Sequence, residues 1–230
     1  MLTLKEVDYR KNRKTLLSNV SGTIEQGDCI TLFGPNGAGK STLIKIMAGL
    51  SRPTSGQRIL EAKAKNPIGY VPQQIAIMEG LIVRDQLTYY QKLTKQKSSE
   101  FVDEMIQYLG LQNILGKRVE RLSGGMKRKV NLAVGLIHQP EILLLDEAFV
   151  GVDLAAKYDM LAWLKRLNSQ GMTIVFITHD WDVVHHLDPI LWILDEGRLL
   201  AKTDLLSLSR QSLTNGSRSL QKMLDVNLQR

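Results

Sequence analysis

The chain predicts an α/β fold: a mostly parallel sheet covered by helices, with an N-terminal antiparallel β-subdomain and an inserted helical subdomain. Three observations carry this. Short apolar runs alternate with helical patterns in the first and last thirds of the 230 residues. The middle third is helical in pattern. A glycine-rich stretch, GPNGAGKS at residues 34–41, lies between a strand pattern and a helix pattern.

Residues 2–7, 16–24 and 29–33 read as strands, each an apolar run bounded by polar residues, with Gly27 and Asp28 as a turn signal. Residues 41–50 then place Leu43, Ile44, Ile46, Met47 and Leu50 at helical spacing. Pro53 to Gly56 closes that unit, and residues 68–71 form a short strand ended by Pro72. Residues 83–114 are helical in pattern, with a polar linker around 95–99. Strand patterns return at 142–145, 173–177 and 190–194, with helical patterns between them. Residues 207–218 are rich in Ser, Asn and Arg and read as a loose linker; residues 219–228 read as a last short helix. The main domain is expected over residues 1–205, with the helical subdomain at about 74–135 and a C-terminal tail from 206 to 230. There is one phosphate loop and no internal repeat.

Composition narrows the class. At 43% hydrophobic and 23% charged the chain reads as an ordinary globular protein. It contains no apolar run of about 18 residues, so no membrane span is expected. The opening MLTLKEVDYR carries charges where a signal peptide needs an apolar stretch, which points to the cytosol. A single cysteine, Cys29, cannot form an internal disulfide and reads as a buried structural residue. The net charge of +7 is spread along the chain, reads as a solvated basic surface, and does not by itself choose a nucleic acid or an anionic membrane as partner.

The chemistry is concentrated in a few residues. Gly34, Gly37 and Gly39 let backbone N–H groups curl around phosphate oxygens, with Pro35, Asn36 and Ala38 completing the loop. The helix that follows turns its positive end toward the anion. Lys40 is expected to reach the terminal phosphates of ATP, and Ser41, followed by Thr42, to bind Mg²⁺. Asp146 and Glu147 end the apolar run ILLLDE, which delivers carboxylates to the edge where parallel sheets bind ligands. Asp146 is assigned to Mg²⁺ and Glu147 to the general base that activates water. Alone, the pair would read as surface carboxylates; beside a phosphate loop the catalytic reading is the stronger. His179 follows the strand at 173–177 and is expected to reach the γ-phosphate. His138, His185 and His186 read as ordinary histidines, and no zinc site is expected from the last two.

Taken together these motifs resemble the ATP-binding subunit of an ABC transporter, with a P-loop NTPase core, over about residues 1–205. GPNGAGKST is similar to the family's phosphate loop, and LLLDE to its Walker B motif. Gln73 in YVPQQ looks like the Q-loop glutamine, which contacts Mg²⁺ or water and assists catalysis. LSGGM at residues 122–126 looks like the signature motif, Asp153 like the D-loop aspartate, and His179 like the switch histidine. Signature beside phosphate loop excludes GTPases and small-molecule kinases, which share only the loop.

The resemblance implies that Ser123, Gly124 and Gly125 bind the γ-phosphate of ATP held by a second subunit. Two chains, identical or merely similar, then pair head to tail around two ATP molecules. It also implies a separate membrane permease subunit, docked near residues 75–90, and a peripheral location on the inner face of the cell membrane. Methionine in the signature and the following KRK suggest the exporter-type branch. Ala148 stands where the family usually has proline, and Phe149 and Val150 stand in a D-loop that often carries Thr and Ser. An adenine-stacking aromatic is implied near residue 11; Lys11 occupies that place and Tyr9 is the nearby candidate, with an ordinary strand tyrosine as the plainer reading.

The leading expectation is therefore an ATP-hydrolysing transporter motor that uses ATP and Mg²⁺, with no nucleic acid partner. The alternative is a soluble ABC ATPase acting on nucleic acid or ribosomes. Such proteins usually carry two cassettes or a long coiled coil, and neither pattern is present. A non-hydrolysing regulatory cassette would need a degraded site, whereas all the expected residues are here.

Overall fold

The computed structural model describes residues 1–94, 99–208 and 216–228. Most of the linkers expected around 95–99 and 207–218 lies outside them. The chain opens with β1 (Leu2–Lys11) and β2 (Lys14–Ile24), an antiparallel pair with Leu2 opposite Ile24 and Tyr9 opposite Leu17. Asn12 and Arg13 make the turn with φ of 51° and 64°, the left-handed pair that suits a two-residue hairpin. β3 (Cys29–Phe33) and α1 (Lys40–Met47) follow. β4 (Ser55–Leu60) pairs with the free side of β1 and completes a three-stranded antiparallel sheet in the order β2-β1-β4. Its sequence, SGQRIL, lacks alternation because it is an edge strand with an exposed first half. That is why sequence pattern missed it.

β5 (Ile68–Val71) leads into the helical insertion: α2 (Val83–Leu93), α3 (Ser99–Tyr108), two 3₁₀ turns and α4 (Gly124–Leu136). The α/β pattern resumes with β6 (Ile142–Asp146), α5 (Leu154–Ser169), β7 (Thr173–Ile177), α6 (Trp181–Leu187), β8 (Ile190–Asp195) and β9 (Arg198–Thr203). Two tail helices, α7 (Leu205–Leu208) and α8 (Arg218–Leu228), end the described chain. The second sheet runs β5-β6-β7-β3-β8-β9, parallel throughout except for the antiparallel pair β8 and β9.

β6 and β7 are buried on both faces, as their unbroken apolar runs predict. Successive side chains go to opposite cores. Leu143, Leu145, Ile174 and Phe176 join α4 and α5 on one side. Ile142, Leu144, Val175 and Ile177 join α1 and the N-terminal sheet on the other. Cys29 packs against the first of these cores, and burial pushes its thiol up to about 12, so it stays protonated and unreactive at neutral pH.

A third, smaller core holds the tail. Leu208, Leu220 and Leu224 are buried against Phe33, Leu191 and Ile193. The Asp195 carboxylate accepts hydrogen bonds from the Ser217 backbone N–H at 2.6 Å and its hydroxyl at 3.0 Å, which anchors the start of α8. Phe33 also meets Trp181 edge-on, with ring centroids 5.5 Å apart. The tail therefore packs against the residue just before the phosphate loop and the residue two after His179.

Candidate functional site

Strand order positions the site. β5, β6, β7 and β3 are successive neighbours, so their C-terminal ends converge on one edge. Gln73 lies just beyond β5, Asp146 and Glu147 at the end of β6, His179 just beyond β7, and the glycine-rich loop after β3.

The loop passes close to the backbone of β8. A Cβ on Gly34 would lie 2.0 Å from the Leu194 carbonyl oxygen, so only glycine fits. Gly39 precedes α1 in the left-handed region, φ 101°, and offers no side-chain cap. The first-turn amides of α1 are thus left for an anion to satisfy. Ala38, within the loop, is buried. Asn36, Gly37, Gly39, Lys40, Ser41 and Thr42 line a cleft of about 200 Å³ together with Leu16 and Glu147.

Lys40 is 7% exposed and folds back to donate to the carbonyls of Gly34 at 2.6 Å and Pro35 at 2.9 Å. Burial pushes its pKa down, and the nearby charges of Glu147 and Asp146 act in the opposite direction. The Ser41 hydroxyl donates to Asp146 Oδ1 at 3.1 Å. Tyr70, which the sequence did not single out, donates a longer bond to Asp146 Oδ2 at 3.5 Å. Burial pushes the Asp146 carboxyl above the usual range, while the Ser41 bond lowers it. Tyr70 is itself pushed up to about 12 by burial and by Asp146.

Glu147 adopts φ 51°, a left-handed conformation that is costly for this residue type and concentrated at functional sites. Its N–H is held by the Ile177 carbonyl at 3.2 Å, across the β6–β7 pair. Gln73 Nε2 donates to Glu147 Oε2 at 2.7 Å. His179 Nε2 lies 3.7 Å from Glu147 Oε1. The His179 pKa is pushed down by burial and by Lys40, against the pull of Glu147, which favours a neutral imidazole. Oxygen donors from Ser41 and Asp146, an ammonium at the loop and uncapped helix amides fit a magnesium–polyphosphate pair. Mg²⁺ is commonly held by only one or two carboxylates plus phosphate oxygens.

Four expected residues lie away from this cleft. Ser123 caps α4, its hydroxyl accepting from the Met126 N–H at 3.3 Å. Asp153 caps α5 and accepts from the Ala156 N–H at 2.9 Å. A Cβ on Gly125 would lie 2.6 Å from Asp153 Oδ2, and one on Gly124 would lie 3.8 Å from the Gly151 carbonyl. Ser123, Gly124, Gly125 and Asp153 thus form a second constellation, and none of them lines the cleft.

Tyr9 is not brought to the cleft either. It pairs with Leu17, whose side chain is buried, and packs with it on the core side of the hairpin. Leu16, one residue along, therefore faces the other way and lines the cleft. Sequence pattern had no means of seeing this, because the β1–β2 register carries several irregularities, one of them between Val7 and Tyr9.

A family model described as ABC transporter matches residues 17–150. The chain belongs to the ABC transporter family. It is 35% identical over 221 residues to the linearmycin resistance ATP-binding protein LnrL of Bacillus subtilis (strain 168), covering 90% of this chain and 71% of that protein. It is 32% identical over 212 residues to the Nod factor export ATP-binding protein I of Burkholderia lata, covering 87% and 70%. A solved structure of the ATP-binding subunit of an ABC transporter superposes with a TM-score of 0.84 at 25% identity and 100% coverage of both chains. A dimeric ATP-binding cassette in a post-hydrolysis state bound to ADP and Pi superposes at 0.77 and 25% identity, covering 89% of this chain and 99% of that one. This ABC family member is thus an ATP-hydrolysing, nucleotide-binding subunit. No helix among the described residues is long and apolar enough to cross a membrane.

Proposed function

We propose that this chain is the motor of an ABC exporter, acting as a head-to-tail dimer with a second copy or a similar chain on a separate membrane permease. The observation that carries this reading is the division of one chain into two constellations. The cleft holds Lys40, Ser41 and Glu147, whereas Ser123, Gly124 and Gly125 stand at another helix end with Asp153. A helix N-terminus carrying a serine hydroxyl and two glycines suits an anion, and these residues stand outside the phosphate cleft of their own chain. A second cassette supplies the anion. The relatives named for resistance and for export, and the dimeric cassette bound to ADP and Pi, support the same reading.

Within each cleft, the loop amides and Lys40 bind the phosphates of ATP, and Ser41 with Asp146 holds Mg²⁺. Bound Mg²⁺ neutralises charge that develops on the phosphate oxygens. Glu147 takes the proton from the attacking water, Gln73 holds one of its carboxylate oxygens, and His179 stands by the other. Ser123, Gly124 and Gly125 of the facing subunit complete the enclosure. The cleft is lined mostly by residues of the glycine-rich loop and the first turn of α1, which suits the phosphates of a nucleotide. The chain works at the inner face of the cell membrane, with the surface after Gln73 against the permease.

The test is recovery of tagged Glu147→Gln from native membranes in the presence of Mg-ATP. An integral membrane protein co-purifying with an ATP-bound dimer is the expected result. Ribosomes or nucleic acid recovered without a membrane protein would overturn the transporter role.

A further inference from the structure

One face of α4 holds the segment that carries Gln73. Residues 72–79 form neither helix nor strand, so their position depends on contacts from elsewhere. Lys127, Arg128 and Asn131 lie on adjacent turns of α4 and reach this segment at three points. Arg128 donates from its guanidinium to the Gln73 carbonyl at 2.5 Å. The buried Asn131 accepts from the Ala76 N–H at 3.1 Å. Lys127 pairs with Glu79 at 3.2 Å, where the Glu79 side chain is 69% exposed. The last of these is a solvated surface pair of little energetic weight. The first two are hydrogen bonds to main-chain groups, and Arg128 alone acts on the residue whose side chain meets Glu147.

A chain of contacts follows. Ser123 caps α4; Arg128, one turn and a half further on, holds the Gln73 backbone; the Gln73 amide holds Glu147 Oε2 at 2.7 Å. The Glu147 carboxylate also lies near enough to act on the Arg128 guanidinium, offsetting part of what burial does to it. A single helix thus carries both Ser123, which caps its N-terminal end, and Arg128, which fixes the Q-loop of its own chain's cleft.

We infer that Arg128 is a positioning residue: it fixes the Gln73 main chain so that the Gln73 amide orients the Glu147 carboxylate, tying the signature helix to the base of its own chain. This rests on the roles proposed for Gln73 and Glu147. Arg128 makes its hydrogen bond to Gln73 and none to Glu147, so it acts on the base chiefly through Gln73, with the charge interaction as the smaller part. Its removal therefore affects the chemical step and leaves ATP binding intact.

The experiment is a double-mutant cycle on the purified full chain, measuring kcat and KM for ATP, nucleotide affinity and Tm. Arg128→Met is expected to lower kcat about tenfold, the worth of one charge-assisted hydrogen bond, with KM and ATP affinity unchanged. In a Gln73→Ala background the same substitution is expected to have a much smaller effect, because the side chain it positions is gone and only the charge interaction with Glu147 remains. Arg128→Lys, which keeps a donor, restores part of the activity, and Lys127→Met, on the same helix, leaves kcat as it was. An equal loss in both backgrounds overturns the proposal, as does a loss that tracks a fall in Tm. If Gln73→Ala and Glu147→Gln themselves leave kcat unchanged, the reading of the site fails along with it. If they lower kcat and Arg128→Met does not, only the positioning role fails.

Discussion

The Ser41 hydroxyl donates to Asp146 Oδ1 at 3.1 Å, joining the first turn of α1 to the last residue of β6 across 105 positions of sequence. Ser41 lines the phosphate cleft, and both oxygens are proposed to hold Mg²⁺. Ser41→Ala removes one of them while leaving the loop backbone alone. The Mg²⁺ concentration needed for half-maximal hydrolysis is expected to rise on the order of 10–100-fold, as loss of a metal-site contact commonly produces. A magnesium titration of ATPase activity checks this, and Mg²⁺ binding followed calorimetrically with ADP gives a readout independent of turnover. An unchanged titration would remove Ser41 from the metal site.

Glu147→Gln keeps the shape of the side chain and removes its basicity. ATP binding is expected to persist while hydrolysis falls by at least about a hundredfold, in the range of lost general-base catalysis. With turnover blocked, the ATP-bound dimer accumulates and is seen by analytical ultracentrifugation. Wild-type turnover in this variant would remove Glu147 from the role of base.

Two glycines of the phosphate loop separate steric need from conformational preference. Gly34→Ala drives a methyl into the Leu194 carbonyl, whereas a Cβ on Gly37 meets nothing within 4 Å. The first substitution is expected to cost on the order of 3 kcal/mol or more, through overpacking against rigid backbone. The second costs about 1 kcal/mol, for the positive φ alone. At about 2–4 °C per kcal/mol for a chain of this size, the Tm values separate clearly. Equal Tm values for the two variants would contradict the close approach at Leu194.

His179 gives the pH dependence a definite sign. Its folded-state pKa is lowered below 6.5, chiefly by burial and then by Lys40. The unfolded chain therefore takes up the proton first as pH falls. The contribution is present in full above about pH 6.5 and is lost as pH falls through the folded pKa. His179→Gln is expected to flatten the Tm-against-pH curve below pH 6.5 and leave it unchanged above pH 7.5. A parallel curve for the variant would show that His179 titrates as it does in the unfolded chain.

Leu220 anchors α8 on Phe33, Leu191 and Ile193. Leu220→Ala is expected to cost about 2–5 kcal/mol, the range for a fully buried leucine. Since Phe33 leads into the phosphate loop and contacts Trp181, the loss should also weaken ATP binding, measurable with a fluorescent nucleotide. An exposed Leu206→Ala is the matched control and should change neither.

Much of this was legible in residue order because it is local. The strands 29–33, 68–71 and 173–177 matched their apolar runs to the residue, since each is buried and bounded by turn residues. β4 and β9 were not anticipated, because edge strands with exposed residues carry no burial pattern. Ser123 at the start of a helix was readable in the same way, since a cap is a contact three residues long.

Sequence alone determined which groups this protein possesses: a phosphate loop, an acidic strand end and a signature turn, each defined by spacing within a few residues. Tertiary structure decided which of them meet. The order β5-β6-β7-β3 brought Gln73, Glu147 and His179 to one edge, the β1–β2 register turned Leu16 rather than Tyr9 to the cleft, and α4 carried Arg128 to the Gln73 carbonyl. Backbone dihedrals and caps are set by neighbours in sequence. Contacts across 50 to 100 residues are set by how sheets and helices bury their apolar faces, and no local pattern encodes that.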